Sequence, residues 1–400
     1  MIDVIVIGHN YNTTLSIVKS LGEAGLKCAT VNISNNPPGN FVSIIRKIKS
    51  PVLSSKHINQ WGYARKEPNS AFVEDLIRLF GNKSQKPLLL PSGDYYTLIL
   101  DEYRELLSEY FHIPHLINNE KMLRAYMDKE RQKVIAHKHN IAVAQNWSVI
   151  IKKGCIPNIP NDIKYPCIAK PQTSTTLPKS FIQRCINREE LSLLLQKISS
   201  NYSCCMLVEE FIEVDEEFTI PGISDGEEVL IPSFIKKTVV ASGAHKGVTI
   251  SGIVENASTY KEIQSKLISL MKEIGFSGIF DIELLRCNNK FFLNEINFRN
   301  GAAAYSLTMA GVNLQAIYAN HILHGAPMML DDIEPKSISF TNDKAALDYF
   351  VDGYSTWAEY QEQLKSVDVL FIDNKNDRGA QAAFRIQKII CIMHKILNRK

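Results

Sequence analysis

The apolar run Val4-Ile5-Val6-Ile7 stops at Gly8, and Leu15, Ile17, Val18 and Leu21 then recur at helical spacing before Gly22 and Gly25. Cys28-Ala29-Thr30-Val31 is a second short apolar run. Leu88-Leu89-Leu90-Pro91 is a third and ends in the polar turn Ser92-Gly93-Asp94. Strands alternating with helices predict a parallel sheet with helices on both faces. Residues near 115–120 are polar and turn-like, and the stretch from Met122 to His139 has a helical pattern carrying Lys129 and Arg131. A domain boundary is expected there. From Pro166 onward the pattern changes to short strands and hairpins: Cys167-Ile168-Ala169-Lys170, Met206-Leu207-Val208, Phe218-Thr219-Ile220, Val229-Leu230-Ile231, Ile279-Phe280-Asp281-Ile282 and Phe291-Phe292-Leu293. Such a run predicts antiparallel sheet with interspersed helices. Beyond about residue 330 a charged segment leads into 384–400, where Ile386, Ile389, Ile390, Met393, Ile396 and Leu397 fall on one side of a helix.

A chain of 400 residues is longer than one compact core usually holds, so two or three domains are expected. Its 45 basic and 42 acidic residues are dispersed, and a formal charge of +3 gives no field that would draw nucleic acid. The eight cysteines have no C-x-x-C pair and no His partner at zinc spacing, and they read as small buried hydrophobes. No basic leader and no bilayer-length apolar stretch is read, so a reducing cytoplasm is the expected compartment. Gly8 opens no G-x-G-x-x-G loop, which argues against a dinucleotide site.

The sharpest chemical signal is Asp281-Ile282-Glu283 followed by Asn294-Glu295-Ile296-Asn297-Phe298-Arg299. In extended chain, residues two apart share a face. Glu295, Asn297 and Arg299 can therefore meet in one cavity, with Glu283 on a neighbouring strand. Magnesium takes hard oxygen ligands of this kind, and a guanidinium can clamp a phosphoryl or carboxylate group. Alone, the pattern fits a solvent-facing strand of alternating charge equally well. Three further segments change the picture: Lys170 ends an apolar strand before Pro171, Glu209-Glu210-Phe211-Ile212 ends another, and Gly243-Ala244-His245-Lys246-Gly247 is a basic loop. Asp94 is either a turn-forming residue or one that faces substrate.

In this order the segments resemble the ATP-grasp superfamily, and within it the carboxylate-amine ligase branch, similar to carbamoyl-phosphate-synthetase-like members and to D-aspartate ligases. The resemblance covers residues 119–326 and implies an α/β plus α+β fold. Residues 1–118 would form a parallel-sheet domain preceding a two-lobed ATP-grasp domain at 119–326, with a hinge near 208–212, and 327–400 would form a C-terminal extension. It implies that Lys129 and Lys170 hold ATP phosphates, that Glu209, Glu210, Phe211 and Ile212 form the adenine-reading hinge, and that Glu217 takes the ribose. It also implies that Glu283, Glu295 and Asn297 bind magnesium, two ions being expected with manganese as a substitute, and that Arg299 lies beside the transferred phosphate. His245 is a candidate base or phosphate donor. Where many relatives have a glycine-rich flap, this chain has Gln172-Thr173-Ser174-Thr175-Thr176-Leu177-Pro178-Lys179, whose hydroxyls and Lys179 would serve as donors.

The implied activity is ADP-forming ligation of a carboxylate to an amine through an acyl phosphate, with an amino acid or amino sugar as acceptor. A noncatalytic nucleotide-binding module, or an enzyme with a thiol acceptor, stays open as an alternative. Small-molecule substrates are expected, and the oligomeric state, a homo-oligomer included, stays open. Arg385, Lys388, His394, Lys395, Arg399 and Lys400 beside the C-terminal apolar stripe leave two fates for that helix, packing on the body or contact with an anionic membrane surface.

Overall fold

The computed structural model describes all residues except 9–10, 36–39, 118–122, 243–246, 330–333 and 398–400. The first four strands, β1 (Val4–Ile7), β2 (Cys28–Ile33), β3 (Ile58–Ala64) and β4 (Leu88–Pro91), form a parallel sheet in the order β3-β2-β1-β4. The uninterrupted apolar run of β1 follows from burial on both faces. Val4 and Val6 pack with Leu15, Ile17 and Leu21 of the helix Tyr11–Glu23, whereas Ile5 and Ile7 pack with Phe72, Leu76 and Ile99 on the other side. β3 carries Asn59, Gln60 and Trp61 at the sheet edge and lacks the apolar run that made its neighbours legible.

After β5 (His115–Leu116), which lies beside Phe276 and Ser277, the chain builds two lobes. In the small lobe β6 (Asn146–Ile151), β7 (Cys167–Pro171), β8 (Gln183–Cys185) and β9 (Cys204–Glu210) form an antiparallel sheet ordered β6-β9-β7-β8. The helix Arg188–Ser199 covers it with Leu191, Leu194, Leu195 and Ile198. In the large lobe β10 (Glu216–Asp225), β11 (Val229–Leu230), β12 (Ser233–Val240), β13 (Thr249–Asn256), β14 (Phe276–Cys287), β15 (Lys290–Asn297), β16 (Ile338–Thr341) and β17 (Val369–Leu370) run in the order β15-β14-β10-β12-β13-β16-β17, with β11 beside β10. Every predicted strand overlaps one of these elements, with Ile231 alone lying just past the end of β11.

Two expectations change. The helix read from Met122 to His139 is, over the described residues, two helices, Leu123–Tyr126 and Lys129–Lys138. Asp128 restarts the second by accepting from the amides of Glu130 and Arg131 at 2.9 and 3.1 Å. At the C-terminus the helix runs Arg378–Leu397 and begins six residues before position 384. Its inward residues Ala380, Ala383 and Phe384 precede the stripe read from the sequence, and Phe384 joins Phe340, Phe371, Val4 and Leu15 in one core. Residues beyond 327 thus supply β16 and β17 to the large sheet and share a core with the N-terminal sheet.

Candidate active site

The helix Lys129–Lys138 is fastened to β15 by one side chain. Gln132 donates to the carbonyls of Tyr126 and Ile296 at 2.9 and 2.8 Å and accepts from the amide of Ile296 at 2.9 Å. This clamp sets Lys129, in the first turn of the helix, against the side chain next to Ile296. Lys129 Nζ lies 2.9 Å from Glu295 Oε2 and donates to Ser174 Oγ at 3.0 Å. The backbone of Lys129 also donates to the carbonyl of Gln172 at 3.2 Å, tying the segment after β7 to the same helix end.

Glu283 of β14 and Glu295 of β15 are register partners, so their side chains leave the same face of the sheet. Directly opposed like charges repel. Here each has a lysine: Glu295 has Lys129, and Glu283 has Lys237 Nζ at 3.4 Å. Just beyond this pair the register shifts, and Asn294 is the extra residue. Strict alternation would send Asn294 to the opposite face. The bulge lets it accept from Lys170 Nζ at 3.0 Å and donate to Glu283 Oε2 at 3.3 Å.

Lys170 and Lys133 grip one carboxylate from both sides. Glu209, 4% exposed, lies 2.9 Å from Lys170 Nζ and 3.1 Å from Lys133 Nζ. Burial pushes its carboxyl up, but the two ammonium groups outweigh burial and hold it below its ordinary value. The same contest leaves Glu295 well below the carboxylate range, because Lys129 first, then Lys170 and Arg299, overcome its burial.

The N-terminal domain reaches the site through Asp94. Gly8 makes room for this approach: a side chain at Gly8 would meet Ser92 Oγ at 2.0 Å, and the Ser92 amide donates to the Ile7 carbonyl at 2.7 Å. That packing fixes Ser92-Gly93 and starts the helix Asp94–Glu102 beside β15. Arg299 Nε then donates to Asp94 Oδ1 at 2.7 Å and its Nη2 to Asn297 Oδ1 at 3.1 Å. Behind them Gly301 lets buried Asp281 come close, since a Cβ there would lie 2.6 Å from the carboxyl carbon. Burial raises Asp281 to about 6.

Asp94, Met127, Lys129, Gln132, Ser174, Glu295 and Asn297 line a nearly closed cleft of about 10 Å³. Ligand pockets usually enclose roughly 300–1,000 Å³. The cleft is small because its cations lie on its own carboxylates, and a ligand carrying both anionic groups and a divalent cation would exchange with these pairs.

The structure therefore links Lys129, Lys170, Glu209, Glu283, Glu295, Asn297 and Arg299 in one cluster of contacts, of which Lys129, Glu295 and Asn297 line the cleft. Glu217 stands nearby on β10, 3.8 Å from Lys237. In the strand end Glu209-Glu210-Phe211-Ile212, the amides of Glu210 and Phe211 donate to the carbonyls of Gln145 and Pro166 at 2.9 and 3.0 Å. Arg184 stacks on the Phe211 ring with 4.2 Å to the centroid. Lys179 lies exposed in a short 3-10 turn, Lys179–Phe181. His245 lies outside the described residues, as does the loop 243–246.

Sequence reading missed Lys133, Lys237 and Asn294. Lys133 was detectable, because it follows Lys129 at i+4 on one helix face. Lys237 and Asn294 depend on strand pairing and a bulge, which one sequence does not display. Among the described residues, no group of three or more His, Cys, Asp or Glu could hold a metal ion by itself. The donor set Glu283, Glu295 and Asn297 instead suits magnesium that also takes phosphate oxygens and water.

A family model described as ATP-grasp domain matches residues 134–311. D-aspartate ligase of Enterococcus faecium is 23% identical over 297 residues, which is 66% of this chain and 66% of that protein. The carbamoyl phosphate synthase large chain of Saccharolobus islandicus is 24% identical over 201 residues, or 48% of this chain and 18% of that one. Among solved structures, L-amino acid ligase from Bacillus licheniformis superposes with a TM-score of 0.59 at 15% identity, covering 85% of this chain and 79% of the other. Residues 134–311, which lie across both lobes and carry the facing lysines and paired carboxylates, match the ATP-grasp domain.

Proposed function

We propose that this protein is an ATP-dependent ligase that activates a carboxylate as an acyl phosphate, releases ADP and joins the acyl group to the amine of an amino acid or amino sugar. The observation that carries this reading is the opposed pair Glu283 and Glu295 ringed by Lys129, Lys170, Lys237 and Arg299. A site that only held adenosine would have no use for two facing carboxylates and four cations.

The residues divide by chemistry. Glu283, Glu295 and Asn297 hold magnesium, which neutralises phosphate oxygens when bound. Lys129, Lys170 and Arg299 leave their carboxylate partners for the triphosphate, and Ser174 follows Lys129. With the amides of Glu210 and Phe211 already engaged, the carbonyl of Glu210 and the amide of Ile212 are the groups suited to the adenine edge, and Glu217 suits the ribose. A substrate carboxylate oxygen attacks the γ-phosphorus and the bond to ADP breaks. The cations offset charge as anion approaches anion. The acceptor's ammonium group gives up one proton, its nitrogen then attacks the acyl carbon, phosphate leaves, and the nitrogen loses a second proton to give the amide.

Asp94 fits the amine. Once Arg299 turns to phosphate, Asp94 is left as a carboxylate on the N-terminal side of the cleft, able to receive an ammonium group. Asp94→Asn should raise the KM for the amine by roughly 10–100-fold while kcat changes less, because a charge-assisted hydrogen bond to the ground-state ammonium is lost. A kcat loss with unchanged amine KM would assign Asp94 to Arg299 alone.

The reaction is tested with hydroxylamine in place of the amine. With ATP, magnesium and a panel of carboxylates, a responsive carboxylate should give a hydroxamate with equimolar ADP. AMP in place of ADP would indicate an acyl adenylate. ATP binding by calorimetry, with neither product across the panel, would favour the noncatalytic module.

A further inference from the structure

Two touching helices, Asn40–Lys49 and Arg378–Leu397, contain no acidic residue. The bond that joins them runs from Gln387 Nε2 to the carbonyl of Lys49 at 2.7 Å. Exposed isoleucines stand next to both partners, Ile48 at 52% and Ile386 at 36%. The apolar surface continues along each helix, through Ile44 on the first and through Ile389, Met393 and Leu397 on the second, exposed at 58, 59, 54 and 63%. Positions 386, 389, 393 and 397 follow helical spacing, so these side chains form one stripe. A monomer in water rarely leaves this much aliphatic surface in one place unless something covers it.

The charges around the stripe indicate what covers it. Arg46, Lys47 and Lys49 are exposed on the first helix and Arg385 on the second. Arg385 reaches Asp373 at 2.8 Å, an exposed pair that water screens, and the other three sit on a helix with no carboxylate of its own. The second helix is anchored by its other face, through Ala380, Ala383 and Phe384, by Lys388 over the Tyr360 ring at 5.0 Å, and by Lys395 to the carbonyl of Phe350. Anchoring keeps the stripe outward. Among the described residues no helix is long and apolar enough to cross a membrane. A second copy of this chain would set cations against cations across the contact, whereas an anionic lipid surface meets both the isoleucines and the arginines and lysines.

We infer that the paired helices Asn40–Lys49 and Arg378–Leu397 form a peripheral docking surface for an anionic lipid bilayer, lying in its headgroup region. The surface is remote in sequence from the cleft residues, and this inference stands apart from the ligase reading, since partitioning is measured without turnover.

The full chain is mixed with vesicles of phosphatidylglycerol, or of phosphatidylcholine alone, and bound protein is separated by sedimentation. Partitioning onto phosphatidylglycerol should exceed that onto phosphatidylcholine by at least roughly tenfold and weaken with added salt. Ile389→Glu with Met393→Glu, and separately Arg46→Glu with Lys47→Glu, should each lower it at least roughly tenfold, with thermal unfolding held near the parent to exclude misfolding. Equal partitioning onto both vesicles, partitioning unaffected by either pair of substitutions, or a dimer in sedimentation velocity that Ile389→Glu with Met393→Glu dissolves would each overturn the inference.

Discussion

Glu295→Gln is expected to lower ADP-forming turnover by roughly 10²–10³-fold, the size seen when a charge-stabilising group is deleted from a transition state. The substitution keeps volume and removes the carboxylate that serves two partners in succession. Without nucleotide it leaves Lys129, 7% exposed, with Ser174 as its bonded neighbour. With nucleotide it removes a hard anionic ligand from the magnesium set. Raised magnesium should therefore recover part of the activity, which distinguishes metal binding from a general loss of structure. Full turnover in a folded Glu295→Gln protein at low magnesium would remove Glu295 from the metal site, and Glu283 with Asn297 would not suffice to replace it in this scheme.

The largest stability effect is expected at Glu209. Glu209→Leu deletes the shared partner of Lys133 and Lys170, both nearly buried, and breaking a buried pair from one side costs about 3–5 kcal/mol. Adding Lys133→Met should return part of that loss, because an uncompensated ammonium becomes an apolar stem. The pH dependence has a definite sign. The Glu209 carboxyl is held below the ordinary glutamate value of 4.5, so its contribution is present above that value and disappears as pH falls through the lowered one. Glu209→Leu should accordingly flatten the acid side of the stability profile. Denaturant unfolding of the parent, the single and the double variant across acid and neutral pH measures all three effects. Equal stability of Glu209→Leu and parent at neutral pH would show that the lysines are solvated without it.

The β1 segment and the β14–β15 segment illustrate how much the sequence could say. Val4-Ile5-Val6-Ile7 announces a strand buried on both faces, because only such a strand has no need for alternate polar residues. Asp281-Ile282-Glu283 and Glu295-Ile296-Asn297 announce polar groups on one face, because strand period is fixed by backbone geometry. These local rules also placed Lys170 at a strand end, and the order of the segments carried the resemblance to ATP-grasp proteins. The resemblance to that superfamily rests on the order, which is written along the chain.

Other features depended on contacts between distant residues. Asn294 turns to the cleft through a bulge that exists only when β14 pairs with β15. Lys237 meets Glu283 across two strand pairings, and Glu209 becomes the hub of two lysines only when β9 lies beside β7 and the Lys129–Lys138 helix packs behind them. Asp94 was ambiguous between turn and site, and its approach to Arg299 requires the N-terminal sheet to lie against the large lobe. The sequence by itself determined the periodic strands and helices, which follow from backbone period and near neighbours, and the order of charged motifs, on which the resemblance to the superfamily rests. Only the tertiary structure decided which carboxylate faces which cation and which apolar stripe stays outside. Those partners are separated by tens to hundreds of residues, and their meeting is set by packing between elements, which no local pattern encodes.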